Sequence, residues 1–120
     1  MTQDEMDEID RRVAEEVMGW HRGPAYGSLD GWLDANNDVI VTRMYFLPSR
    51  FFDLAAHLVM DKLKISLTPQ CEGWVARVDG WPLPDGTLVK GPHMARAPLA
   101  ICMAALAWKE AWANHTVPVA

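Results

Sequence analysis

The chain has 120 residues, of which half are apolar and 22% are charged. This length and balance are typical of one folded domain and exclude a disordered or collagen-like chain. Sixteen acidic and eleven basic side chains give a net charge of -5, which disfavours duplex DNA or RNA as a partner. Six tryptophans, beside two tyrosines and three phenylalanines, are the unusual feature of the composition.

The first predicted element is an amphipathic helix over residues 3–20. Its apolar side chains recur at steps of three and four, and acids and two arginines occupy the other faces. The acids concentrate in the first turns, where they complement the partial positive charge of a helix amino end. We expect the apolar stripe to pack on a sheet, with docking on a second protomer as the alternative.

The amino-terminal ten residues contain five acids and no base, the opposite of a secretory signal peptide. The longest strongly apolar run without a charge spans residues 97–108, which is shorter than the roughly 20 residues that cross a bilayer. The sequence therefore predicts a cytoplasmic protein with no membrane partner. Cys71 and Cys102 form no paired motif, so we expect two free thiols, with a disulfide between them as the less favoured alternative.

The central part of the chain predicts a loop, a strand and a helix. Residues 21–38 are rich in Gly, Asp and Asn and are predicted to form an ordered loop. Residues 39–47 are dense in β-branched and aromatic side chains, which favours a strand. Pro48 ends that strand, and Ser49 is suited to cap a helix that runs through Leu63.

The second half of the chain predicts a hairpin and a long apolar helix. Residues 64–68 and 74–79 favour two antiparallel strands, because residues 69–73 form a connection of hairpin length. After a long loop rich in Gly and Pro, a short strand is expected within residues 89–95. The last helix, over residues 98–113, is apolar on all faces, which indicates a central helix or an oligomer interface.

The order of these elements predicts an α+β fold, in which an antiparallel sheet of about 3–4 strands is layered between helices as an α/β/α sandwich. Residues 97–106 (APLAICMAAL), residues 17–20 (VMGW), and Pro48 followed by residues 53–56 (DLAA) resemble the phage ABA sandwich domain family. The resemblance spans nearly the whole chain. It implies a single domain with the same layered architecture, a phage or prophage source, and no assigned catalytic residue.

Two segments depart from the pattern of that family. Members tend to have polar residues before the aspartate of the second helix, where this chain has Arg50, Phe51 and Phe52. Members commonly have Ser or Thr before the last helix, where this chain has Arg96. If those polar helix ends bind a ligand in relatives, this chain is expected to bind it differently or not at all.

The short motifs of common enzymes are absent from the sequence, which has no phosphate-binding or dinucleotide-binding glycine loop, no HExxH, no GxSxG and no CxxC. We therefore predict no catalytic residue and no cofactor. Residues 34–38 begin like a calcium loop, but Val39 stands where that loop needs glycine and Tyr45 where it needs glutamate. We interpret them as a turn with Asx-type hydrogen bonds. The four histidines occupy separate elements, so no metal site is predicted.

The candidate ligand-binding residues are Trp81, Lys90, His93 and Arg96, in the segment before the last helix. A helix amino end offers unpaired N–H donors that suit an anion, and three basic side chains precede it here. Trp81 is suited to stack on a base or a sugar. The alternative is structural, with Trp81 closing the end of the core and the basic side chains solvated.

Trp108 and Trp112 lie one turn apart on the last helix and are the candidate interface residues. The lead hypothesis is a non-enzymatic phage or prophage accessory protein that acts by binding, as a homo-oligomer or with a host or phage protein. The alternative is a protein that sequesters a small anionic nucleotide signal. A third hypothesis, a small hydrolase, requires His93 to meet Asp79 and Asp85 in one cleft.

Overall fold

A computed structural model describes residues 2–26, 29–42, 46–50 and 56–115. Within these ranges the elements are α1 (Gln3–Arg12), a π-helical turn (Val13–Val17), β1 (His21–Tyr26), β2 (Leu29–Leu33), β3 (Val39–Thr42), α2 (His57–Leu63), β4 (Ile65–Gln70), β5 (Gly73–Val78), β6 (Val89–Lys90) and α3 (Ala97–His115). None of the helices in these ranges combines the length and apolarity needed to cross a membrane. The predicted α+β class is confirmed, and the strands form two three-stranded sheets where one sheet was expected.

The first helix begins with a capping box and ends in a wider turn. Thr2 Oγ1 accepts from the Glu5 N–H at 3.2 Å, and Glu5 Oε1 accepts from the Thr2 N–H at 3.1 Å. In the π-helical turn the Met18 N–H donates to the Val13 carbonyl, five residues back, at 3.0 Å. The predicted helix is therefore confirmed through Val17.

Two strands occupy residues 21–26 and 29–33, where a loop was predicted. β1 and β2 pair antiparallel, and β2 is the central strand of the first sheet, whose order is β1-β2-β3. Trp32 and Leu33 of β2 are buried. Gly23 of β1 lies so close to Leu33 that a Cβ would be 2.3 Å from the leucine Cδ1. The burial of Trp32 and Leu33 thus outweighs the weak strand propensity of a segment that contains Gly and Pro.

The second sheet is antiparallel with the order β4-β5-β6 and contains the predicted hairpin. Its connection is shorter than predicted, because β4 continues through Pro69 and Gln70 and only Cys71 and Glu72 form the turn. Both turn residues have positive φ, 46° and 61°, as in the type I′ turn that matches the twist of hairpin strands. Pro69 is tolerated because β4 is an edge strand.

α3 is the central helix of the described structure, one of the two alternatives predicted for it. It packs against β5, β6, α2 and the π-helical turn, and Ile101 and Cys102 are fully buried. Gly91, directly after β6, approaches α3 so closely that a Cβ there would lie 2.7 Å from the Ala104 Cα. Small residues on both sides therefore allow the sheet and the helix to meet at backbone distance.

Two predicted elements are observed only in part. The strand expected over residues 39–47 is present as β3, and residues 43–45 lie outside the described ranges. The helix expected from Ser49 is observed as a turn at residues 48–50 and as α2, and residues 51–55 also lie outside those ranges.

The short strand predicted within residues 89–95 is smaller than expected. β6 contains only Val89 and Lys90, and an isolated antiparallel bridge between Trp74 and Met94 continues the pairing with β5. Gly91 lies between the two and still contacts β5, because its N–H donates to the Ala76 carbonyl at 2.9 Å.

Candidate functional site

Trp81, a predicted ligand residue, is held between α2 and α3. Its indole Nε1 donates to the Lys62 carbonyl at 3.2 Å, and its own carbonyl accepts from the Trp108 Nε1 at 3.0 Å. The side chain is nonetheless 51% exposed. The contact with Trp108 joins a residue predicted to bind a ligand to a residue predicted to form an interface.

Trp108 also contacts Trp112, one turn further along α3. Their ring centroids are 6.5 Å apart and their planes make an angle of 64°, which is an edge-to-face arrangement. The Trp112 Nε1 is buried and has no hydrogen-bond partner among the described residues. We call Trp81, Trp108 and Trp112 the tryptophan surface. The helical spacing indicated two of its members, whereas the return of the Trp81 loop onto α3 left no sign in the sequence.

The other three predicted ligand residues have contacts elsewhere. Lys90 lines a shallow depression over the second sheet. The His93 Nε2 lies 2.7 Å from the Gln70 carbonyl oxygen, and Arg96 donates to the Arg50 carbonyl at 3.3 Å. Across the described ranges, no hydrogen bond or ion pair joins these three side chains to the tryptophan surface. An anion site built from all four residues stays a prediction.

A cavity of about 440 Å³ lies beside α1, and none of the predicted site residues lines it. This volume is in the range of small-molecule sites. Four carboxylates of α1 belong to its wall, and we call it the acidic cavity after them. They are Asp4, Asp7, Glu8 and Asp10.

Asp10 is the buried carboxylate of the acidic cavity, with 4% of its surface exposed. Its Oδ1 accepts from the Ser49 N–H at 2.8 Å, and its Oδ2 is buried without a hydrogen-bond partner in the described part of the chain. Burial raises the pKa of this carboxyl, and the bonds to Ser49 and the charge of Arg50 oppose that rise. The apolar part of the wall includes Trp32 and Phe46, both buried.

Three arginines also line the acidic cavity, and each of them is already paired with a carboxylate. Arg11 pairs with Glu8 and Glu15, Arg50 pairs with Asp7, and Arg22 pairs with Asp30 at 3.5 Å. Two of these partners, Glu15 and Asp30, lie outside the wall. Among the described residues, the wall thus holds four carboxylates and three guanidinium groups, and two further carboxylates pair with these arginines from outside the wall.

One signal for Asp10 is present in the sequence. Asp10 precedes Ala14 by four residues, the spacing of one helix face, and Ala14 is buried. The amphipathic pattern nevertheless predicts that the acids of this helix, Asp10 included, occupy the faces other than the apolar stripe. The partner of Asp10, Ser49, lies 39 residues further along the chain, where no local periodicity can indicate it.

The residues of the hydrolase hypothesis have separate hydrogen bonds. The Asp79 carboxylate accepts from Arg77 at 2.6 Å, and the Asp85 carboxylate accepts from the Thr87 N–H at 2.9 Å. His93 is bonded to the hairpin instead. Among the described residues, no hydrogen bond or ion pair joins Asp79 to His93, so the hydrolase hypothesis stays a prediction.

The segment at residues 34–38 forms the predicted Asx-type turn. Asp34 Oδ1 accepts from the backbone N–H groups of Asn36 and Asp38, at 2.9 and 3.0 Å. Among the described residues, no group of three or more His, Cys, Asp or Glu side chains is placed to hold a metal ion.

Both cysteines are free thiols, as predicted. Cys71 is exposed in the hairpin turn, and Cys102 is buried in α3. Burial, and then the charge of Asp10, raises the pKa of the Cys102 thiol well above its ordinary value. A thiol in this state forms little thiolate and is a poor nucleophile.

Comparison of the chain with protein families, curated proteins and solved structures finds no match. The resemblance to the phage ABA sandwich domain family therefore stays a prediction that rests on the segments quoted above.

Proposed function

We propose that the protein is a non-enzymatic binding protein that forms a homo-oligomer through the tryptophan surface. The observation that carries this proposal is the exposed indole of Trp81 beside Trp108 and Trp112. The family resemblance adds the context of a phage or prophage accessory protein that works in the cytoplasm of the host cell.

The tryptophan surface has the properties of an interface core. Each indole presents a large area, and little conformational entropy is lost when it is buried. Trp81 is also fixed in advance, because its indole is bonded to Lys62 and its carbonyl to Trp108, which lowers the cost of ordering it on association. Single exposed apolar residues are common on proteins, but connected aromatic residues from two segments are typical of binding surfaces.

A second copy of the chain is the occupant that this surface fits best. A twofold axis through the surface would bring the same indoles together from both chains, so the contact would be complementary to itself. The net charge of -5 makes two copies repel each other over most approaches. The indoles themselves add no charge to the contact.

Sedimentation velocity over a range of protein concentrations tests this proposal. We expect the wild-type chain to form a dimer or higher oligomer, and Trp81→Ala to weaken association by roughly thirtyfold, since removal of a central aromatic residue costs about 2 kcal/mol. Leu29→Ala is the matched control, because Leu29 is similarly exposed, at 49%, on β2. A wild-type chain that stays monomeric at all concentrations, or a Leu29→Ala effect as large as that of Trp81→Ala, would overturn the proposal.

A further inference from the structure

We propose that one face of the second sheet binds a phosphate group, either as free inorganic phosphate or as the phosphate of a small ester. We call the site the sheet depression, and the residues that line it are Ser66, Thr68, Gln70, Val75, Arg77 and Lys90. It is distinct from the tryptophan surface, and its occupancy does not depend on self-association.

The register of the three strands places these side chains on one face of the sheet. Ser66 of β4 lies opposite Arg77 of β5, and Arg77 lies opposite Lys90 of β6. Thr68 lies opposite Val75, two positions nearer the hairpin turn. Directly opposite residues share a face, and so do residues two apart along a strand. The three strands therefore bring two cations and two hydroxyl groups together over one depression.

The two cations are directly opposite each other on neighbouring strands, and this is the observation that points to an anion. Opposite charges at such positions stabilise a sheet, whereas like charges are unfavourable. Among the described residues, neither the Lys90 ammonium nor the Nη atoms of Arg77 have a hydrogen bond or an ion pair. A phosphate held between the two side chains would offset their repulsion and accept hydrogen bonds from both.

Asp79 is the acid that is bonded to this face, and it leaves both cations able to bind a ligand. Its carboxylate accepts from the Arg77 Nε at 2.6 Å. This bond, and then one from Ser66, lowers the pKa of the Asp79 carboxyl. Asp79 does not belong to the described wall of the depression. It therefore orients the guanidinium from one side, and the Nη atoms are left to donate to phosphate oxygens.

The neutral groups and the size of the depression favour a phosphate on a small body. The Thr68 hydroxyl and the Gln70 amide can both donate to phosphate oxygens. The volume of about 170 Å³ is below the range of about 300–1,000 Å³ for drug-sized ligands. Toward the hairpin turn, the His93 ring lies over Gly73, where a Cβ would be 2.5 Å from the ring. A whole nucleotide would therefore extend beyond the depression.

An NMR titration that follows the backbone amide signals tests the site and its selectivity. The probes are inorganic phosphate, glycerol phosphate and acetate, at equal pH and ionic strength. We expect both phosphates to shift signals clustered in β4, β5 and β6, and acetate to leave them unchanged. Tighter binding of glycerol phosphate would identify an ester as the ligand, and tighter binding of inorganic phosphate would identify the free anion. No shift with either phosphate, shifts scattered over the surface, or equal shifts with acetate would overturn the proposal.

Two variants test the position of the site. Lys90→Gln should weaken phosphate binding by about fivefold or more, because one charged donor is lost. Thr68→Val keeps the charge and the strand propensity but removes a hydroxyl, and it should weaken binding by a few-fold. Lys62→Gln is the matched control, because Lys62 is exposed on α2 and the variant changes the net charge equally. Unchanged affinity in Lys90→Gln, or an equal loss in Lys62→Gln, would overturn the assignment.

Thermal unfolding at low ionic strength gives a readout of the charge repulsion itself. Without phosphate, Lys90→Gln should unfold at a higher temperature than wild type, because it removes the repulsion from Arg77. Added phosphate should raise the Tm of wild type more than that of Lys90→Gln. Lys62→Gln should gain as much from phosphate as wild type does. An equal gain from phosphate in Lys90→Gln and in wild type would contradict binding at the sheet depression.

Discussion

Asp10 shows how two neighbouring turns of α1 are attached to a distant segment. Asp10 accepts from the backbone of Ser49, and Asp7, three residues earlier on the same face, pairs with Arg50. Two consecutive residues are therefore held by two carboxylates of one helix. The bond to Asp10 is buried, whereas the pair to Asp7 is partly exposed and contributes less to stability.

The raised pKa of Asp10 predicts a specific dependence of stability on pH. A carboxyl with a raised pKa binds its proton more tightly in the folded than in the unfolded chain, so folding loses stability as the pH rises from the ordinary aspartate range through the raised value. The groups that face this carboxyl are Asp7, Ser49 and Arg50, and Cys102 from α3. Asp10→Asn removes the step, so its stability relative to wild type should increase across that window.

Urea unfolding of both proteins at a series of pH values measures this difference. The difference between the two free energies of unfolding isolates Asp10 from the other acids, several of which have lowered pKa values that act in the opposite direction. Asp38→Asn, in an exposed turn, controls for the exchange of a carboxylate for an amide. A difference between wild type and Asp10→Asn that does not vary with pH would contradict the prediction.

At the scale of elements, the turn of the β4–β5 hairpin has backbone strain that substitutions can relieve. Cys71 and Glu72 both adopt the left-handed conformation, which costs roughly 1 kcal/mol or more for residues with a Cβ. The double variant Cys71→Asn/Glu72→Gly supplies the residues that type I′ turns prefer. We expect thermal unfolding to shift upward by a few degrees, equivalent to about 1 kcal/mol. The control Cys71→Ser/Glu72→Ala keeps the backbone strain, and an equal gain from it would rule out this explanation.

The two hairpins also show which elements could be predicted from sequence. β4 and β5 combine β-branched residues with a connection of hairpin length, so local signals were sufficient for their existence and pairing. β1 and β2 contain Gly23, Pro24 and Gly31, which are residue types typical of loops. Their pairing is stabilised by the burial of Trp32 against the core, a contact between distant segments that no short window contains. The candidate sites show the same contrast between local signals and distant contacts. Helical spacing indicated Trp108 and Trp112, but it could not indicate the contact of Asp10 with Ser49.

At the scale of the whole molecule, α3 is surrounded by both the second sheet and the amino-terminal helix, so Cys102 reports on the integrity of the core. Cys71 is exposed and should react with a thiol reagent within the mixing time of native protein, giving one fast thiol per chain. Cys102 is fully buried and its pKa is raised, so it should react only when the core opens.

Labelling with a chromogenic disulfide reagent at increasing urea concentrations tests this expectation. Cys71→Ser should abolish the fast phase, and the slow phase from Cys102 should accelerate as urea approaches the unfolding midpoint. A second thiol that reacts rapidly without urea would show that α3 is more accessible than its packing indicates.

The π-helical turn at Val13–Val17 determines the direction in which the side chains of α1 point relative to the residues that follow. Each residue of an α-helix turns the chain by about 100°, and a π-helical turn accommodates one residue more than an α-helical turn does. Removal of one residue from this turn would let a regular α-helix form and would rotate Ile9 and Asp10 by about 100° relative to Val17. The carboxylate that faces Ser49 would then point to a different side of the helix. The acidic cavity beside α1 therefore depends on a single extra residue in the π-helical turn. None of the residues of that turn is among those described for the cavity wall.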